Sequence, residues 1–318
     1  PNIEGVDDQF KESVMLMRYL NTTRETDGNK EVIFAIGSGD NYGIYSQIPH
    51  GVTTYNGSPV GGWGGIAVFL NSVERFYTKN GKLPQYDHTF PDKSDWFESA
   101  GLSNPDIIKL NVNREPRFYA SILYNGAPWK GQTLYTYEGC NDGYALGGGT
   151  TCTGYYMRKL FDENLPKNGI RATDLTYYYM RYAEVLLIYA EAMAEQGDIP
   201  AALEALNEVR ARVDLPAKSA KNKTEFMKLL RHERMIELAF EGHRFWDIRR
   251  WGLGTTLLND VHMKGIKPTK TSEGTYEYKV VDCDAGSTRV YLEKYNRFPI
   301  PLSELQQNTA CEQFDEWK

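Results

Sequence analysis

The chain has 318 residues, 41% of them hydrophobic and 25% charged, which suits a packed globular protein with a sizeable core and excludes a disordered one. A formal net charge of −6 without any basic stripe argues against a nucleic-acid binder. Aromatic residues are abundant, with 22 Tyr, 13 Phe and 6 Trp, and the ring-plus-polar-edge chemistry of Tyr and Trp suits wet binding surfaces.

In chain order, Phe10, Val14, Met17 and Leu20 recur at helical spacing and predict a helix over 6–20. Residues 31–36 read as a buried strand. Residues 37–65 form a long Gly-rich loop carrying Tyr42, Tyr45, Tyr55 and Trp63, and a loop of that length inside a compact domain is usually functional or disordered. A helix is predicted over 68–78, ending at Asn80-Gly81. Residues 82–112 are loop again and contain Trp96. Residues 118–124 read as a strand, Asn125-Gly126 as its turn and 133–137 as its hairpin partner. Trp129 follows that turn and is placed to pack there, which makes it a weaker candidate for a ligand-stacking ring. Residues 138–154 form a second Gly-rich loop, and a short element follows over 155–161.

From Tyr178 the texture turns helical. A helix over 181–196 ends at Gly197, Asp198 is placed to cap the next, and Pro200 sits early in that second helix, which runs to about residue 213. Ala190, Gly197 and Ala202 sit where a tetratricopeptide unit places its small residues. A single such unit needs stacked neighbours to bury its faces. A third helix is predicted over 224–251. Glu233, Glu237 and Glu241 are spaced to line one face of it, either as a catalytic carboxylate pair of the glycosidase kind or as a salt-bridge network with nearby arginines; the network is preferred. His232-Glu233 lacks the second His of a zinc protease, so no metal and no catalytic residue is expected. Residues 255–297 read as loop and short strand, with a short helix from Ser303.

Cys140, Cys152, Cys283 and Cys311 show no C-x-x-C spacing. Cys140 and Cys152 bracket the second Gly-rich loop and are placed to form a local disulfide. No apolar run approaches the roughly 20 residues of a membrane helix, no signal peptide is visible, and the start at Pro1 reads as a processed or trimmed product.

Several segments together carry a family resemblance. Residues 181–192 (RYAEVLLIYAEA) and 233–252 (ERMIELAFEGHRFWDIRRWG) resemble the helices of SusD/RagB proteins, as do 114–126, Tyr155-Tyr156-Met157-Arg158-Lys159 and Pro299-Ile300-Pro301. The resemblance implies a mainly α, SusD-like fold: a tetratricopeptide-type helix pair at 178–254, a loop-rich region with short β-hairpins at 1–177, and a mixed region at 255–318. It also implies that the N-terminal half of the family is absent here. By the same resemblance the function is non-catalytic oligosaccharide binding at the outer surface of an outer membrane, through a lipid anchor. The partner would be a SusC-like TonB-dependent transporter, and no cofactor is expected. Peptide binding of the RagB type is the alternative, and a glycoside hydrolase a remoter one.

Ligand residues in such proteins lie in variable loops, so candidates rest on residue chemistry. Tyr42, Tyr45, Tyr55, Trp63 and Trp96 offer rings on which the C–H faces of sugars can stack, and Asn41, Asn56 and Asp92 offer partners for sugar hydroxyls. The other reading of Trp63 and Tyr45 is that they pin the loop to the core.

Overall fold

The computed structural model describes residues 3–22, 28–37, 49, 54–55, 58–59, 64–145, 150–161, 163, 176–284 and 286–318, with backbone alone at 36–37, 54–55, 58–59 and 176–177. The fold is mainly helical, with small two-stranded antiparallel sheets. Helix α1 (Lys11–Thr22) buries Val14 and Met17, as its spacing predicts. Strand β1 (Val32–Gly37) pairs with Thr176–Arg181, far away in the sequence. A short pair, Thr54–Tyr55 with Ser58–Pro59, follows.

Helix α2 covers only Leu70–Val73, against the predicted 68–78. The buried Arg114 explains the early stop. Its guanidinium donates to the carbonyl oxygens of Val73 and Phe76 at 2.7 Å, Leu110 at 2.8 Å and Tyr77 at 3.3 Å. The Tyr77 N–H, which a longer helix would have sent to Val73, donates instead to Glu115 Oε1 at 2.9 Å. A side-chain cation and a carboxylate thus replace the next helical turn.

The predicted strand over 118–124 is also different. Pro116 opens a helical turn, α3 (Pro116–Ser121), because its fixed φ suits a first helical position. Only Ile122–Leu123 are strand, and they pair with Tyr156–Met157 rather than with 133–137. The turn at Asn125-Gly126 does form, with Gly126 at φ 88° and Ala127 N donating to Tyr124 O at 2.9 Å. The hairpin itself lies one step on, Pro128–Trp129 against Gln132–Thr133, and reverses at Lys130 and Gly131, both at positive φ.

The tetratricopeptide-like pair is α4 (Tyr182–Gln196) and α5 (Ile199–Ala211). Gly197 adopts φ 90°, and Asp198 N reaches back to Met193 O at 2.9 Å. Asp198 caps α5 by accepting from Ala201 N at 3.1 Å. Ala190, Ala194 and Ala202 are fully buried between the helices with Leu187 and Leu206. Helix α6 (Lys223–Glu237) closes this second core through Phe226, Met227 and Leu230.

The long third helix of the sequence reading is broken. It stops at Glu237 and resumes as α7 (His243–Arg250), with Phe240 at φ 66° and Gly242 at φ 85° in the break. Again a buried cation takes the carbonyl that continuation needs: Glu237 O accepts from Arg181 Nη2 at 2.7 Å and Lys159 Nζ at 2.9 Å. The Glu241 N–H turns to Leu238 O instead. Beyond α7, the 255–297 region holds a seven-residue ladder, β2 (Lys264–Lys270) against β3 (Tyr276–Asp282).

The larger core lies under α1, α3 and the loops, with Trp96, Phe118, Tyr119, Tyr155 and Tyr156 inside. A small cluster of Met17, Tyr77, Ala120, Val213 and Leu215 joins it to the end of α5.

Replacing Arg114 by Met keeps its volume but takes the donor from four buried carbonyls, of which only Val73 O and Tyr77 O keep a backbone N–H partner, from Phe76 and Glu115. We expect a loss of at least about 3 kcal/mol in urea unfolding, and a loss below about 1 kcal/mol would refute the capping role.

Candidate functional site

A half-enclosed cavity of about 500 Å³ lies between α1, the Trp129 hairpin and the segment after Met157. Helix α1 contributes Met15, Arg18, Tyr19, Asn21 and Thr22. The hairpin contributes Trp129, held in place because Lys130 and Gly131 make the tight reversal. Arg158, Lys159, Phe161 and Glu163 complete the wall.

The two cavity arginines differ. Arg158 is saturated: its Nε meets Glu163 Oε1 at 2.5 Å, its Nη2 donates to Pro128 O at 3.1 Å, and its guanidinium lies 5.7 Å from the Trp129 ring centre. Arg18 is 3.9 Å from the same carboxylate, and its Nε and Nη2 are buried without a partner. Burial, and secondarily the charge of Arg158, lowers the Arg18 pKa to about 10, so it stays a cation at neutral pH. Asn21 Nδ2 and Trp129 Nε1 are likewise buried and unpartnered. Donors without acceptors, beside aromatic rings, are equipped for a molecule rich in oxygen acceptors and flat C–H faces.

Of the residues singled out in the sequence, Asn41, Tyr42, Tyr45, Asn56 and Trp63 lie outside the described residues, and Tyr55 is described only in its backbone. Trp96 is corrected. It is 1% exposed, meets Phe90 edge-on and donates from Nε1 to Pro91 O at 2.9 Å. Both its faces and its N–H are committed to the core. Asp92 is exposed at the start of the short turn Lys93–Asp95 and makes no side-chain cap bond. Trp129 packs after the hairpin as expected, yet it also lines the cavity. Arg18 and Asn21 carry no sequence signal, since nothing distinguishes them from other polar residues of an amphipathic helix.

The glutamate row on α6 forms an ion network, as preferred from sequence, but with partners from elsewhere in the chain. Glu237 is fully buried and meets Arg117 at 3.0 Å, Arg181 at 2.7 Å and Arg212 at 2.5 Å. Glu233 meets Arg117 and Arg210, each at 2.7 Å. Glu241 meets Lys159 at 2.5 Å and Arg181 at 2.7 Å. Arg234, on the same helix, pairs with Asp247 instead. Burial pushes the Glu241 carboxyl up, but the charges of Arg181 and then Lys159 outweigh it and hold the group at about 2. Next to Glu233, burial lowers His232 to about 4, so it is neutral, bonded to Arg75 O at 2.8 Å. Among the described residues no group of three or more His, Cys, Asp or Glu could hold a metal ion. No helix among them is long and apolar enough to cross a membrane.

Comparison with known proteins fits this architecture. The family model of the SusD family matches residues 11–317. The chain belongs to the SusD family. The solved structure of BT4246 is 32% identical, with a TM-score of 0.83 over 98% of this chain and 55% of that one. A SusD-like carbohydrate binding protein, BF0978 from Bacteroides fragilis, is 27% identical, with a TM-score of 0.68 over 88% of this chain and 54% of that one. SusD-like protein P38 of Formosa agariphila is 29% identical over 61% of this chain and 37% of its own length. The chain thus spans little more than half of these SusD-family structures. The segments 181–192 and 233–252 that carry the resemblance in the sequence map to helix α4 and to the broken pair α6–α7, so their shared residues serve the charge network and the helix pair.

The network makes stability depend on acid in a defined sense. A carboxyl whose folded pKa is depressed stabilises above its unfolded value near 4.5 and loses that contribution as pH falls toward about 2. Glu241→Gln should therefore cost about 3–5 kcal/mol at neutral pH, with the gap to the unsubstituted protein closing as pH falls through that window. Urea unfolding across a pH series reads this, and a gap independent of pH would overturn the assignment.

Proposed function

We propose that this SusD-family protein binds oligosaccharides without catalysis at the outer face of an outer membrane. It hands them to a SusC-like TonB-dependent transporter. The observation that carries the reading is the cavity walled by Trp129, Phe161 and Tyr19, in which Arg18, Asn21 and Trp129 hold unpartnered donors. Sugars supply hydroxyl acceptors for those donors and C–H faces for the rings. A relative of the same family, BF0978, is a SusD-like carbohydrate binding protein, which supports the same ligand class. Catalysis has little support, because the glutamates that would serve a hydrolase are already bonded to buried cations.

The loop residues Asn41, Tyr42, Tyr45, Tyr55, Asn56 and Trp63 are proposed as a second set of contacts, with Asp92 as a peripheral polar partner. The lipid anchor and the transporter partnership rest on family membership alone. A peptide-binding role of the RagB type has one feature in its favour: exposed apolar residues along α4, Tyr182, Val185, Ile188 and Tyr189, beside Trp246. A peptide would lie on that face and leave the cavity untouched.

A glycan array followed by calorimetry separates the readings. Trp63→Ala, Tyr45→Ala and Arg18→Met should each weaken binding of the array's best oligosaccharide about 5- to 30-fold, as loss of about 1–2 kcal/mol implies. Their melting temperatures should be nearly unchanged. No glycan bound on the array would remove the oligosaccharide reading, and undiminished affinity in all three variants would remove the site assignment.

A further inference from the structure

The β2–β3 hairpin is fastened to the Gly-rich loop by direct backbone contact. Ile266 N donates to Thr153 O at 2.9 Å, and Cys283 N donates to Met263 O at 2.7 Å, extending the ladder one step past Asp282. Two glycines make the approach possible. A Cβ on Gly154 would stand 2.4 Å from Ile266 O, and one on Gly265 would stand 2.5 Å from Thr153 Cα and 2.8 Å from Cys283 Sγ. The same approach brings two cysteines together. Cys283 Sγ donates to the carbonyl oxygen of Cys152 at 3.0 Å, which sets the two residues side by side. Both residues are half-buried, so a small reagent can reach them. The local pairing open in the sequence, Cys140 with Cys152, is not what the fold arranges: Cys140 Sγ donates to the carbonyls of Tyr135 and Tyr137.

We propose that Cys152 and Cys283 form a disulfide that bolts the β2–β3 hairpin to the 138–154 loop when the protein meets a disulfide oxidant. The proposal is independent of the ligand reading. The neighbouring Cys283 thiol pulls the Cys152 pKa down, which favours the thiolate there and makes Cys152 the first nucleophile. Its sulfur attacks one sulfur of a small disulfide such as oxidised glutathione. The glutathione S–S bond breaks, and one glutathione leaves as a thiolate and takes up a proton. Cys283 then gives up its proton and attacks the Cys152 sulfur of the mixed disulfide, expelling the second glutathione. Two protein thiols have lost two electrons and two protons, and the oxidant has become two thiols.

The bridge joins segments far apart in sequence, so it should restrict the unfolded chain strongly. The test incubates the protein with oxidised glutathione or with reductant, alkylates free thiols and maps the digest without reduction. Expected is one cross-linked peptide pair, Cys152 with Cys283, lighter by two hydrogens than the reduced pair, with Cys140 and Cys311 alkylated. The oxidised protein should melt about 3–10 °C above the reduced one, and Cys283→Ser should abolish that difference. If Cys283→Ser fails to fold, the peptide map of the unsubstituted protein decides. Alkylation of all four cysteines after oxidation, a Cys140–Cys152 pair, or glutathione retained on Cys152 beside an alkylated Cys283 would each overturn the proposal.

Discussion

The structure depends on buried cations placed where backbone or carboxylate oxygen would otherwise lack a partner. Five carboxylates, Glu31, Glu115, Glu233, Glu237 and Glu241, meet five cations, Arg117, Lys159, Arg181, Arg210 and Arg212, in one connected network. Its members come from the residue before β1, the start of α3, the segment after Met157, the residue before α4, the end of α5, α6 and the break that follows it. Taking such charges out of water costs several kcal/mol per ion, so a satisfied network contributes little net stability over an apolar core of the same shape. Its weight lies in the penalty for error. Shift α6 by one turn and each glutamate faces the wrong guanidinium, leaving charge buried and unpaired. The network therefore selects one register among the packings that the alanine-lined helix pair alone would tolerate.

The same cations decide where helices stop. Arg114 consumes the carbonyls at the end of α2, and Arg181 with Lys159 consumes the one at the end of α6. This explains which elements were legible. Helices α4 and α5 end on local signals, Gly197 and Asp198, and both boundaries could be read from the sequence. Helices α2 and α6 end on side chains dozens of residues away, and periodicity ran straight through both stops. The strand over 118–124 failed for another reason. Phe118 to Tyr124 has β-type composition, but Pro116 starts a helical turn and Tyr119 OH is drawn to Gly5 O at 2.9 Å, so tertiary contact overrides propensity.

The candidate site was less legible still. Trp96 sits in a loop rich in polar residues, which suggested exposure, yet its ring completes a core under that loop. Loops that carry large rings bury them wherever a pocket exists, and composition cannot tell a tucked ring from a presented one. Trp129 gave the opposite lesson. A ring buried in a hairpin still lines a cavity, and its Nε1 has no partner within the chain.

Arg18 carries the last step of the argument. Two other buried guanidiniums are heavily bonded: Arg114 makes bonds to four carbonyls, and Arg181 meets three carboxylates and a carbonyl. Leaving a buried donor unbonded costs about 1–3 kcal/mol. Single nitrogens of Arg117, Arg212, Arg231, Arg234 and Arg249 are without a hydrogen-bond partner as well, whereas four such donor atoms belong to residues that line one cavity, Arg18, Asn21 and Trp129. Under the proposed oligosaccharide reading, a hydroxyl-rich ligand in that cavity would stack its apolar faces on the rings and offer acceptors to the donors. Binding would then be driven by stacking and oriented by the donors, with modest affinity and selection set by hydroxyl placement.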